Sequence, residues 1–404
     1  MSLLKLKPNF NRINRSLAFP AKQLNYILEE SVVDKFSFYQ AFFMVYSFMK
    51  LTEDLKHKIF SVSSNPFVWQ AHDSCNWSPM GNAQIGEQEI SPCKAKVNDE
   101  WCYDELFKSC FSHFLKWGTG NTVSLGPEGR RLVNIMVRQM IQNMVVGARL
   151  TLTVGKLYDY DKLKGYFKTG VTGDMKAAFA KTMGTCRGWV ELAKEQALKP
   201  GYEHLNCKEI LTKDMFNGKK FMGKVVEDVF DKLRGKCLPE LQCLLDEGGV
   251  PDVQGLTMSP LLLVSQSIYS AVAEEYRKMC VSVTCINPRI ERKAVSWNGR
   301  QYNVYYIDGV PVIPISDINC YDSYLTGSTH LAVLTVSGNI NMGASFANLP
   351  TIDRPGMGVR IQQHTDNDKY GKYSFLSHAL FSTAIANHKL FAGTQIFCAP
   401  KKAA

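Results

Sequence analysis

The chain has 404 residues, 45% of them hydrophobic and 21% charged, which supplies core for two or three compact units and rules out a disordered polymer. Its 12 cysteines are scattered, without the dense framework of a small secreted domain, and read as reduced thiols in a cytoplasm. A net charge of +10 suits contact with a polyanion but says nothing about fold.

The N-terminus, MSLLKLKPNFNRINRSLAFP, lacks an apolar core followed by a small-residue cleavage site, so nothing in it implies export. It carries Lys5, Lys7, Arg12, Arg15 and Lys22 with no acid before Glu29. That pattern fits an arm lying along a polyanion or an acidic partner, and equally an ordinary solvated terminus. Phe36 to Met49, FSFYQAFFMVYSFM, lies between Lys35 and Lys50. It is shorter than the roughly 20 residues of a spanning helix and predicts a buried or interface helix.

From Ser61 to Val97 the chain is rich in Ser, Asn, Pro, Gly and Gln and too long for a routine connection. Its second half, AQIGEQEI and PCKAKV, predicts an extended two-stranded projection. NDEWCYDELFKSCFSHFLKWG then offers Asn98 as the N-cap of a helix with Phe107, Cys110, Phe111 and Phe114 on one face. Gly126-Pro127-Glu128 opens a longer helix of roughly 25 residues, with Val133, Met136, Val137, Met140, Ile141, Met144, Val145 and Ala148 as its apolar stripe. It reads as a spine for the fold.

Residues 151–245 alternate Gly-punctuated loops with the amphipathic pieces DMKAAFAKTM, GWVELAKEQAL and GKVVEDVFDKL, and a further helix is entered through Ser259-Pro260. After Cys280 the texture changes to strands: VSVTCI, VSWNGRQYNVYYIDGVPVIPI, HLAVLTV and GVRIQQ, with Asn298-Gly299 and Asp308-Gly309 as turn signals. The class is α+β.

Signals for chemistry are weak. GKKFMGKV, Gly218 to Val225, has Val225 where a phosphate loop needs a hydroxyl, and reads as a lysine-rich loop before a helix. Cys102, Cys110 and His113 show no close-spaced ligand pair of a zinc site. GASFA, Gly343 to Ala347, lacks the closing glycine of a nucleophile elbow and reads as a turn. In RIQQHTDNDKYGKYSF, Arg360 to Phe375, a calcium loop counted from Asp366 finds Asp368 and Gly371 in place, but Ser377 where the bidentate Glu belongs. A polar tip between two strands is the plainer reading, with an ion at that tip left open.

The order of these elements resembles the Hong Kong 97-type major capsid protein of tailed double-stranded DNA bacteriophages. KAKVNDEWCYDELF resembles the passage after that family's extended loop, IDGVPVIPI a strand of its axial domain, and GVRIQQHTDNDKYGKYSFLSHALFSTAIANHKLF its closing peripheral segment. The resemblance runs from about Ser61 to Phe391. It implies an N-terminal arm at 1–60, an extended loop at 61–97, and a peripheral domain with spine helix and protruding loop at 98–160 and 352–393. A mixed axial domain at 161–351, with an insertion at 161–245, and a tail at 394–404 complete it.

The resemblance further implies a non-catalytic subunit without cofactor, metal or membrane. Such a subunit assembles into hexamers and pentamers of an icosahedral head in the host cytoplasm and remains in the virion capsid. Phe67, Trp69 and Trp77 become anchors on an adjacent subunit, while Arg360, Asp366, Asp368, Lys369 and Lys372 meet neighbours where capsomers join. Lys5, Lys7, Arg12, Arg15 and Lys22 face packaged double-stranded DNA without reading bases. Portal, scaffolding and decoration proteins are the implied partners. Two alternatives stand beside it: an encapsulin-like compartment shell, and a cytoplasmic enzyme with a metal held by His364, Asp366 and Asp368.

Overall fold

A computed structural model describes residues 37–49, 51, 57–64, 83–90, 92–102, 142–247, 250–251, 257–279, 289–345, 359–363 and 372–399. In chain order the first elements are α1 (Phe38–Phe43), β1 (Tyr46–Met49), β2 (His57–Ser64), β3 (Ala83–Ile90) and β4 (Cys93–Cys102). Helix α2 (142–154) follows, then α3 (Gly173–Thr185), α4 (Trp189–Gln196) and α5 (Pro239–Glu247). Next come β5 (Pro260–Val264), α6 (Gln266–Met279), β6 (Ile290–Trp297), β7 (Arg300–Ile307), β8 (Val310–Pro314) and α7 (Ser316–Asp322). The chain closes with β9 (Ser328–Val336), β10 (Ile340–Ser345), β11 (Val359–Gln363), β12 (Lys372–Ile385) and β13 (Phe391–Cys398). The fold is α+β.

A six-stranded sheet in the order β6-β7-β8-β5-β9-β13 forms the centre, with β8 and β5 parallel and the other pairs antiparallel. Successive side chains point to opposite faces of a strand. Leu261, Leu263, Leu331, Val333 and Phe391 accordingly enter one core with Trp189 and Tyr321, while Leu262, Val264, Ala332, Leu334 and Ala392 enter a second with Phe230 and Ile268. Both faces are covered, so β5 and β9 are buried at every position. That is why HLAVLTV reads as a nearly unbroken apolar run. Each such side chain contributes about 1.5–3 kcal/mol on burial.

The outer hairpins turn where the sequence signals them. Asn298 and Gly299 have φ of 48° and 72°, and Asp308 and Gly309 have 48° and 81°. Positive φ at both central positions matches the twist of the flanking strands.

The second sheet has five strands organised by β12. Phe375 pairs with both Ile361 of β11 and Asp99 of β4, and Leu380 with both Ser345 of β10 and Lys94 of β4. Thus β10 and β11 lie in tandem on one edge of β12, and β4 covers the other. β1 adds to β10 in parallel.

Several local expectations yield to these pairings. Asn98 is not a helix cap: β4 runs through it to Cys102, opposite Lys372–Phe381, because ten cross-strand partners outweigh one local cap. Ser259-Pro260 opens strand β5 rather than a helix, and α6 begins only at Gln266. GASFA is not a turn; Gly343, Ala344 and Ser345 are strand, and Leu51 packs against Gly343 so closely that a Cβ there would lie 2.9 Å from its side chain. AQIGEQEI pairs with His57–Ser64, not with PCKAKV. Residues 394–398, placed above in a tail, are part of β13.

Phe36–Met49 is not one helix. Ser37 Oγ caps α1 by accepting the Gln40 N–H, and Met44 then breaks it in the left-handed region at φ 47°. The Gln40 amide clamps the break, donating to Tyr46 O at 2.6 Å and accepting the Tyr46 N–H at 2.9 Å. Helix α2 confirms the C-terminal part of the spine and extends it to residue 154, while the part before 142 lies outside the described residues. VSVTCI also lies outside them. Helices α3 and α4 fall where the sequence places them. GKKFMGKV contributes a tight turn, with Phe216–Asn217 paired to Lys220–Phe221 and Gly218 at φ 61°, ahead of a π-helical turn at Val225–Phe230.

Candidate assembly surface

Strands β2 and β3 pair along eight residues each, from His57 opposite Ile90 to Ser64 opposite Ala83, and form a sheet of their own. Three residues after β3 the chain enters β4, which joins the five-stranded sheet. The joint where β4 enters the body is therefore the root of the ribbon.

That root is tied at three levels. Cys93, at the start of β4, is disulfide-bonded to Cys186 just past α3, with Cα atoms 5.9 Å apart. This corrects the reading of every cysteine as a reduced thiol: the partners are 93 residues apart and nothing local marks them as a pair. Next to Cys186, Gly188 donates its N–H to Gly155 O at 2.8 Å, at the end of α2. A Cβ on Gly155 would fall 2.2 Å from Cys186 O, and one on Gly188 2.5 Å from Thr153 O, so only glycine permits this backbone contact. Lastly, Arg149 of α2 meets Asp317 of α7 at 3.0 Å, and Thr153 Oγ1 donates to the same carboxylate at 3.3 Å. The ribbon root, the spine helix and the central sheet are thus one mechanical unit.

Other thiols lie apart from this joint. Burial pushes Cys207 up to about 11 and Cys237 up to about 12, so both stay protonated and unreactive near neutrality.

A second surface feature adjoins β1. Phe42 of α1, Met44 just after it and Phe48 of the edge strand β1 are 48%, 47% and 42% exposed. Helix α1 is fixed by Phe38, which is buried and stacks on Tyr302 with ring centroids 4.2 Å apart. The aromatic stripe of 36–49 signalled this surface, although as a helix rather than a helix and a strand.

Of the residues singled out by sequence, Arg360 lies in β11 opposite Leu376 of β12, and Lys372 opens β12 opposite Cys102 of β4. His364, Asp366, Asp368 and Lys369 fall between these strands and lie outside the described residues, as do Phe67, Trp69 and Trp77 and the cations Lys5, Lys7, Arg12, Arg15 and Lys22. Among the described residues no group of three metal-ligating side chains occurs, and no helix is long and apolar enough to cross a membrane. The features that sequence reasoning missed are the Cys93–Cys186 bond and the Gly155–Gly188 contact.

No protein-family model and no curated protein matches this sequence. Solved structures with which the chain aligns are those of phage heads and related shells. A chain of the satellite phage P4 procapsid with its size determination protein aligns over 95% of both chains at 8% identity and a TM-score of 0.46. A chain of Gordonia phage Cozz aligns over 87% of this chain and 84% of its own at 10% identity and a TM-score of 0.44. The SrpI encapsulin of Synechococcus elongatus aligns over 89% and 88% at 13% identity and a TM-score of 0.33. All three scores lie below 0.5, so these likenesses by themselves assign nothing to this chain.

Proposed function

We propose that this chain is a major capsid protein of Hong Kong 97 type, assembling into hexamers and pentamers of an icosahedral head around double-stranded DNA. The observation that carries the proposal is the β2–β3 ribbon, whose strands pair only with each other among the described residues. An isolated two-stranded ribbon is marginal at best in water. It gains stability by lying on another surface, and in a closed symmetric shell every subunit offers its neighbour the same surface. The rigid root fits this role, because a projection transmits position between subunits only if its base is fixed.

In this reading Phe67, Trp69 and Trp77 anchor the ribbon on the adjacent subunit. Arg360, Asp366, Asp368, Lys369 and Lys372 face neighbouring capsomers, with exposed pairs worth on the order of 0–1 kcal/mol each but repeated by symmetry. The arm cations Lys5, Lys7, Arg12, Arg15 and Lys22 bind phosphate of packaged DNA in a salt-dependent, sequence-independent way. Portal, scaffolding and decoration proteins complete the head, assembled in the host cytoplasm.

Electron microscopy and sedimentation of the expressed protein test this directly. Closed particles or capsomers are expected, and a strictly monomeric species at every salt and protein concentration would overturn the reading. The basic arm favours a virus head over an encapsulin-like compartment. Nucleic acid recovered from inside particles separates the two.

A further inference from the structure

The Cys93–Cys186 bond joins two stretches of backbone that are each held in place without it. Cys93 lies opposite Phe381 in the ten-residue register between β4 and β12. Cys186 is held from its other side: Lys156 donates its N–H to Met183 O and Gly188 donates its own to Gly155 O, both at 2.8 Å, so the chain before and after the cysteine is bonded to the turn that ends α2. Main-chain bonds thus present the two sulfurs to each other, with Cα atoms 5.9 Å apart, within the span of a disulfide that needs no backbone movement. Opening the bond leaves Cys93 with a partner, because Phe381 O lies 3.2 Å from its Sγ and accepts the thiol proton.

The two cysteines differ in access. Cys186 is 1% exposed and Cys93 is half-buried, so a reagent from solution meets Cys93 first. Burial raises the pKa of Cys207, Cys237, Cys320 and Cys398, which keeps those thiols protonated and slow to exchange. Among the described residues Cys93 and Cys186 are the one linked pair. A cytoplasm keeps thiols reduced through glutathione and thioredoxin, whereas the medium outside a cell lets disulfides form and persist. A subunit that folds and assembles inside a cell and then leaves it passes from the first condition to the second.

We propose that Cys93 and Cys186 form a redox-timed lock, a dithiol while subunits assemble and a disulfide once the particle has left the cell. The timing rests on the shell reading; the chemistry does not. The oxidant is a low-molecular-weight disulfide, RSSR. Cys93 thiolate attacks one of its sulfurs, forming a mixed disulfide and expelling one thiolate; Cys186 then gives up its proton and attacks Cys93 Sγ, closing the bond and expelling the second. Two electrons pass from the cysteines to RSSR, and the two thiol protons end on two RSH. While the pair is open, the root of the ribbon is not yet tied to α3, and the ribbon settles on its neighbour. Closure then fixes that root to α3 and, through the Gly155–Gly188 contact, to the spine helix.

Thiol trapping of the full chain tests the order of events. Bacteria expressing it are quenched in acid and alkylated with a maleimide under denaturing conditions, and the peptides holding Cys93 and Cys186 are read by mass spectrometry. Both are expected to be alkylated in quenched cells, and linked to each other after lysis and incubation with oxidised glutathione, with no change in particle size. Oxidation should raise the melting temperature by on the order of 5 °C, and dithiothreitol should reverse the rise. Cys93→Ser should assemble as well as the native chain and show no such rise. A pair already linked in quenched cells, a pair still reduced after excess oxidised glutathione, or the same rise in Cys93→Ser overturns the lock. Trapping is read on the native chain and decides the matter even where Cys93→Ser does not fold. A chain that oxidises in this order yet never forms particles supports the thiol chemistry while overturning the shell reading.

Discussion

The two sheets differ in what completes them. The six-stranded sheet is finished within one chain: its strands alternate between two cores, and Leu261–Val264 and Leu331–Leu334 are no more than 2% exposed. The five-stranded sheet carries the exposed Phe48 on its edge strand β1, with the exposed Phe42 and Met44 just ahead of it in the chain, and leads through β4 into a ribbon paired only with itself among the described residues. The lesson is a division of labour. One region is complete within a subunit, and in the proposed shell the other is completed by neighbours.

Deleting 57–90 and rejoining the chain tests that division most severely. Particles are expected to vanish, while circular dichroism and a cooperative melt persist because the six-stranded sheet is paired without that ribbon. Trp189→Ala strikes the self-contained side: Trp189 is 0% exposed, and its loss should cost about 3–5 kcal/mol in chemical denaturation. Cys93→Ser, or reductant on the native protein, releases the ribbon root from α3 and should cost about 2–4 kcal/mol, read as a lower melting temperature. Arg289→Ala removes a bridge that ties Asp308, in the β7–β8 turn, to Asp231. Its partners are partly exposed, so about 1 kcal/mol or less is expected, and particle formation should survive.

The smallest effect is the dependence on pH. Asp322 is raised from 3.8 to about 7 by burial, so between those values the native state holds a proton that the unfolded chain has released. Its contribution to stability is therefore lost as pH rises through that window. His330 and His388 are lowered from 6.5 to about 4, so their contribution grows over much of the same range. Asp322→Asn removes the opposing member, and melting temperature should then rise more steeply with pH between about 4 and 6.5. An unchanged slope would separate Asp322 from the stability of the central sheet.

Much of the central sheet was legible in advance because its signals are short-range. Asn298-Gly299 and Asp308-Gly309 are the residue types that accept positive φ, and HLAVLTV is apolar at successive positions because both faces are covered. The assembly side was legible only in outline. AQIGEQEI reads as strand, but its partner, His57–Ser64, lies across a long excursion and is no better marked than PCKAKV. Asn98 and the acids after it imitate a helix start, and only the ten-residue pairing with β12 reveals them as strand. Cys93 and Cys186 look like any two of 12 scattered cysteines.

The sequence by itself determined the α+β class, the positions of α3 and α4, the tight turns and the apolar strands, because propensity, period and backbone freedom are properties of neighbouring residues. Tertiary structure alone decided which strands pair, that Phe38–Met49 divides into a helix and a strand, that Gly155 meets Gly188, and that Cys93 meets Cys186. Those outcomes depend on surfaces brought together from distant parts of the chain, where burial and cross-strand bonding exceed the fraction of a kilocalorie by which local preference distinguishes one conformation from another.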